Sequence, residues 1–157
     1  MKRLFVSMCV MLICLCASAQ KGSAALGVKG SYASEIENVG VGVLGQYFFT
    51  DALRGEASFD YFFKKNGLSM WDINANLHYL FDVADNVFVY PLAGVGYTNW
   101  KASAGGVSNT EGKIAVNLGG GIQFNISDAA FISAEGKYQI IEHFNQFVVG
   151  VGLGFRF

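Results

Sequence analysis

The 157-residue chain has little of what commonly staples a small domain or arms a catalytic site. Its three cysteines, Cys9, Cys14 and Cys16, all lie near the start, so the rest of the chain can form neither a disulfide nor a thiolate cluster. There is one proline, Pro91, and there are two histidines, His78 and His143, which leaves little material for imidazole chemistry. Charged residues make up only 15%, with Lys and Arg numbering 11 and Asp and Glu 12, so no basic surface for nucleic acid is predicted. No stretch holds a 3.6-residue apolar repeat, which argues against amphipathic helices. The longest apolar run, 4–16, is too short for a membrane helix, which needs about 20 residues to cross about 30 Å of hydrocarbon.

That run follows Lys2 and Arg3 and leads to the small residues Ala17 and Ala19. The pattern predicts a secretory signal over 1–19, cleaved before Gln20, and one domain over 20–157. Bulky Ile13 and Leu15 precede Cys14 and Cys16, which speaks against lipid attachment there. Without Lys2 and Arg3, nine basic residues face twelve acidic ones, a formal charge of −3.

What the chain does have is glycine, aromatic residues and a period of two. In 69–81, Trp71, Ile73, Ala75, Leu77, Tyr79 and Phe81 alternate with Asp72, Asn74, Asn76 and His78. In the last segment Phe147, Val149, Val151, Leu153 and Phe155 alternate with Gly150, Gly152, Gly154 and Arg156. Side chains on a strand point to opposite faces in turn, so each such segment predicts a strand between two different environments. Eight segments are predicted: 24–33, 39–49, 53–64, 69–81, 87–99, 112–125, 129–140 and 146–157. Tight links holding Asp51, Asp85 and Asp128, suited to side-chain to backbone bonds, follow the even strands. More variable links follow the odd ones, the longest being 101–112, read as a polar connection. Such alternation of link types is that of an up-and-down meander.

The distribution of charge decides which face meets which solvent. A soluble barrel would turn its apolar face inward and need a well-charged exterior, yet here the second face is mostly Gly, Ser, Asn, Gln and Ala. Turned inside out, small and polar residues fill a narrow lumen and Val, Leu, Phe and Tyr face lipid. The fold class predicted is therefore all-β, an eight-stranded antiparallel up-and-down transmembrane β-barrel. Tyr47, Phe48, Phe49, Phe63, Trp71, Tyr79, Phe81, Trp100, Phe124, Phe147 and Phe157 are assigned to the interfacial girdles. The fifth strand is left unassigned, because both its faces are apolar and Pro91 lacks a ladder donor; a register-switching bulge is expected there.

The stretches "YPLAGVGY", "LGGGIQFNISDAAFISAEGKY" and the terminal "GVGLGFRF" resemble the small eight-stranded outer membrane barrels, the OmpA membrane-domain and OmpX-like family within the outer membrane protein beta-barrel domain group. The resemblance covers essentially all of 20–157. It implies a Gram-negative outer membrane, both termini periplasmic, variable loops at the cell surface and outer membrane lipids as surroundings. It also implies that the barrel assembly machinery reads the last strand, with Phe155 and Phe157 as its assembly signal.

Fold alone does not decide activity. Lys29, Arg54, Glu56, Asp60, Glu135, Lys137 and Arg156 fall on the predicted inner face and mix both signs, which predicts a salt-bridged polar network filling the lumen. The role expected is structural or surface-interacting, with a small porin-like pore as the alternative. No cofactor, metal site or catalytic residue is predicted: His78 is expected to hydrogen-bond inside the lumen, and Glu142 and His143 sit in a loop beside Asn145 with no nucleophile. A surface ligand, if there is one, has no signature in the sequence.

Overall fold

The computed structural model describes residues 22–65, 68–104, 107–142 and 145–157. The predicted signal over 1–19 lies outside them, as does His143. The strands are β1 (Ala24–Ala33), β2 (Asn38–Phe48), β3 (Leu53–Lys65), β4 (Leu68–Tyr79), β5 (Phe81–Ala84), β6 (Val87–Ala104), β7 (Val107–Asn125), β8 (Ala130–Ile141) and β9 (Gln146–Arg156). The four-residue β5 continues the line of β4, so the nine strands make eight staves. Each stave pairs antiparallel with its neighbour in the chain, and β9 returns to pair with β1 from Ala25↔Arg156 to Ala33↔Val148. Closure satisfies every strand edge along this seam, which is what a strand needs where no water can complete its hydrogen bonds.

The first strand begins and the last strand ends at one rim, where Phe157 N donates to Ala24 O at 3.0 Å and Ala24 N donates to Phe157 O at 3.3 Å. This is the terminal rim; the opposite one, beyond Ala33 and Gln146, is the distal rim. Turns at the terminal rim are tight. Leu53 N donates to Thr50 Oγ1 at 2.9 Å and Ala130 N to Ser127 Oγ at 3.1 Å, so hydroxyls next to the expected Asp51 and Asp128 make these closing bonds. The third terminal turn is the pair Asp85 and Asn86, with Asn86 at φ 65°. Asparagine tolerates such left-handed backbone at a turn better than most residues that carry a side chain.

The period of two has the inside-out sense. Val28, Val43, Ile73, Leu77 and Val151 are at least half exposed, whereas Arg54, Asp60, Asp72, His78 and Gln139 are buried. Exposed rings gather near both rims, Tyr47, Phe49, Tyr79, Phe81 and Phe124 near the termini and Tyr32, Tyr61, Phe63 and Phe147 at the other end. Two girdle assignments need correction. Phe48 turns inward to pack with Leu80, Tyr90 and Leu92, and Trp100 packs inward against Phe62, Met70 and Val148. Near a rim the inner face is itself apolar, so an aromatic there has a second place to go.

The fifth stave also differs from expectation. β6 pairs with β7 in one unbroken register from Val87↔Phe124 to Ala104↔Val107, so no bulge switches its faces at Pro91. Pro91 faces outward, and Tyr90 and Leu92 face in. The missing donor shows on the other side, where the ladder to β4 ends at His78↔Leu92 and resumes in β5 at Phe81↔Val89. Finally, 101–112 is not merely a connection: β6 and β7 stay paired through Lys101↔Thr110 and Ser103↔Ser108, making a hairpin that outruns β8 at the distal rim.

Candidate functional site in the barrel interior

Inner positions from all eight staves meet in the lumen, because each stave keeps one parity along its length and the glycines leave room for long side chains. The seven charged residues predicted for the lumen all sit on the inner face, though not in one network.

Nearest the terminal rim, Arg54 Nη1 donates to Gln123 Oε1, Gln123 Nε2 to Asn125 Oδ1 at 2.9 Å, and Arg156 Nη2 to the same Asn125 oxygen at 2.7 Å. The two guanidinium carbons stand 5.7 and 5.5 Å from the Phe48 ring centroid, so one aromatic ring serves two cations. Phe48, Phe88, Leu80, Tyr90 and Leu92 close this end with an apolar layer.

Above that layer, Arg54 Nε donates to His78 Nδ1 at 3.0 Å, and His78 stacks on Tyr90 with centroids 4.7 Å apart. Tyr90 Oη donates to Glu135 Oε2 at 3.3 Å, and Gln46 Nε2 donates to Glu56 Oε2 at 2.7 Å. Glu56, His78 and Glu135 each bring one potential ligand atom within 4.8 Å of the others, a spacing a metal could use. The hydrogen bonding argues otherwise. Because Nδ1 accepts from Arg54, the imidazole proton sits on Nε2, which faces Glu135 Oε2 at 3.9 Å and offers no lone pair. A guanidinium in contact with the ring further disfavours a second cation, so this cluster is a hydrogen-bonded one.

At mid-height Lys29 Nζ pairs with Asp60 Oδ2 at 2.8 Å and donates to Ser58 Oγ at 3.2 Å, while Ser31 Oγ donates to Asp60 Oδ1 at 2.9 Å. Lys137 is buried, and its ammonium has no hydrogen-bond partner among the described residues. Toward the distal rim the lumen becomes an amide lattice, which charge counting in the sequence did not single out. Asn117 Nδ2 donates to Asn74 and Asn76 at 2.9 Å each, Gln139 Nε2 to Asn74 at 3.1 Å, and Gln146 Nε2 to Gln139 at 2.6 Å. Asp72, fully buried and absent from the predicted set, takes Asn74 Nδ2 at 2.9 Å. The signal for it was present, since Asp72 shares parity with Asn74, Asn76 and His78. Ala33, Phe62, Met70 and Val148, with Ile36 and Trp100, then close the distal end.

Phe155 and Phe157 lie apart from all this, on the outside, 55% and 52% exposed. Of the loop residues weighed for catalysis, Asn145 Oδ1 accepts from Ile141 N at 3.2 Å, and Glu142 lends its carbonyl to Lys113 Nζ at 3.1 Å. These are contacts that shape a turn.

The profile of a family described as outer membrane protein beta-barrel domain matches residues 7–157. Among solved structures, the N-terminal beta-barrel domain of Pseudomonas aeruginosa OprF is 18% identical, with a TM-score of 0.76 over 86% of this chain and 97% of that one. Ail, the attachment invasion locus protein of Yersinia pestis, is 22% identical, with a TM-score of 0.65 over 87% and 97%. Neisserial surface protein A is 15% identical, with a TM-score of 0.63 over 87% and 96%. A comparison with curated proteins finds no match. At these identities the neighbours speak for the fold.

Proposed function

The chain belongs to the outer membrane protein beta-barrel domain family, and from that premise we propose that it is a non-conducting, non-catalytic barrel of the outer membrane with a structural or surface-interaction role. One observation carries this reading: apolar layers at both ends enclose a lumen occupied by hydrogen-bonded side chains. An eight-stranded barrel has an interior about wide enough for side chains to fill, and here buried groups such as Arg54, Gln123, Asn117 and Gln139 fill it. The sequence resemblance supports an orientation with the termini in the periplasm and recognition of the last strand by the assembly machinery, and the basic, apolar and small-residue pattern of 1–19 supports a signal cleaved before Gln20. In that orientation the paired β6–β7 hairpin stands at the cell surface, the place for any partner.

Planar bilayer recording on the refolded barrel tests the reading. Closed bilayers after verified insertion are expected. A steady conductance would overturn it in favour of the small pore, more so if bulky replacements at Gly119 or Gly152 on the inner face abolish the current.

A further inference from the structure

Midway along the lumen, the described residues leave a small internal cell of about 20 Å³. Lys29, Lys137, Glu56 and Glu135 line it, with Ser133 and the bare backbone of Gly150 and Gly152 on β9. Three of the four charged groups are already engaged: Lys29 by Asp60 and Ser58, Glu56 by Gln46, and Glu135 by Tyr90. The fourth, Lys137, is 2% exposed and its ammonium has no hydrogen-bond partner among the described residues. A buried ammonium without an acceptor is costly, so the cell must supply one.

We propose that this cell is a binding site for a single water molecule, which accepts a hydrogen bond from Lys137 Nζ and donates to the glutamate carboxylates beside it. Size and charge both select this occupant. A cavity needs about 10–15 Å³ to hold a water, and a buried water needs two to four polar partners, which this wall offers. An anion would face Glu56 and Glu135 and a cation would face Lys29 and Lys137, whereas a neutral dipole can satisfy both signs at once. The water completes the lumen network by giving Lys137 a route to its counter-charges. The inference rests on the closed-lumen reading, but it is measured as the residence of one water and not as a current, so the two can fail separately.

The cell exists because β9 places glycine at two successive inner positions. A Cβ at Gly150 would stand 3.3 Å from Ser31 Oγ and 3.4 Å from Gly30 O, close enough to fill the space with only a small adjustment of a hydroxyl. Oxygen-17 magnetic relaxation dispersion on the refolded full domain should therefore show a long-lived water whose contribution Gly150→Ala removes. Gly150→Ala should also lower the urea midpoint, and should lower it much less when Lys137→Met has already removed the donor. Lys137→Met alone should reduce the same relaxation contribution, a readout that survives if Gly150→Ala fails to fold. A dispersion unchanged by both variants would overturn the proposal, as would equal midpoint losses for Gly150→Ala in both backgrounds. Bromide or rubidium bound in the cell would replace the water with an ion and overturn it too.

Discussion

Lys29 and Asp60 meet across a residue that has no side chain: their charged atoms are 2.8 Å apart, and Gly42 on β2 stands in register between them. The same device recurs around the barrel. Asn76 and Asn117 bond across Gly94, and Tyr90 and Glu135 bond across Gly121. Inner-face glycine thus marks the points where groups on next-but-one strands are joined, so the bare positions are as specific as the charged ones.

Gly42→Ala tests that device. A Cβ there would lie 2.6 Å from Asp60 Oδ1 and 2.5 Å from the Phe59 carbonyl oxygen, and the backbone atom cannot step aside. Overpacking of this kind costs about 1–3 kcal/mol, to be read by urea unfolding in vesicles. Gly30→Ala is the control, since its Cβ would meet nothing within 4 Å on the outer face and should change stability by no more than about 0.5 kcal/mol.

Asp60→Asn should be far worse than its size suggests. Lys29 and Asp60 are 10% and 1% exposed, and removing one member of a buried pair leaves the other uncompensated, at a cost of about 3–5 kcal/mol. Lys29→Met in the same chain should recover most of the loss. The double-mutant cycle is the measurement, and additive losses would mean the two groups are not coupled.

Val43 is 56% exposed at mid-strand, paired with Val28 and Phe59. Val43→Arg should destabilise the barrel by about 2–4 kcal/mol in a phospholipid bilayer, because an arginine at the midplane faces hydrocarbon. An unchanged unfolding midpoint would mean that Val43 meets water and not hydrocarbon, and would overturn the lipid-facing assignment of this face.

Phe157→Ala separates folding from delivery. Its ring is outside and half exposed, and the closing bonds to Ala24 use only its backbone, so refolding into detergent should match the wild type. In cells the heat-modifiable, folded species in the outer membrane should fall several-fold. Equal loss in both assays would make Phe157 a stability residue and not an assembly signal.

The strands were legible because parity is a strong signal wherever the two faces differ, and the 24–33 segment coincides with β1 to the residue. Legibility failed where the faces become alike. Around Pro91 both are apolar, since Tyr90 and Leu92 belong to the layer that closes the lumen, and the same convergence explains Phe48 and Trp100. Counting charges located Lys29, Arg54, Glu56, Asp60, Glu135, Lys137 and Arg156 on the inner face but passed over the amide lattice of Asn74, Asn117, Gln139 and Gln146, whose bonding depends on neighbours in space. The distal hairpin was hidden for a related reason: its polar, glycine-bearing sequence reads as a loop, and only the pairing of β6 with β7 makes it a ladder.

Seven of the eight joints in this ring link segments that follow one another in the chain, and a ribosome-ordered meander can form each of them as a local hairpin. The joint between β1 and β9 is different, since Ala25 and Arg156 stand at opposite ends of the polypeptide. Among the strand pairings of the described residues it alone joins strands far apart in sequence, so it closes the longest loop. Until the last strand has arrived the first keeps an open edge, and anything that held the two together beforehand would lower the cost of closing the ring.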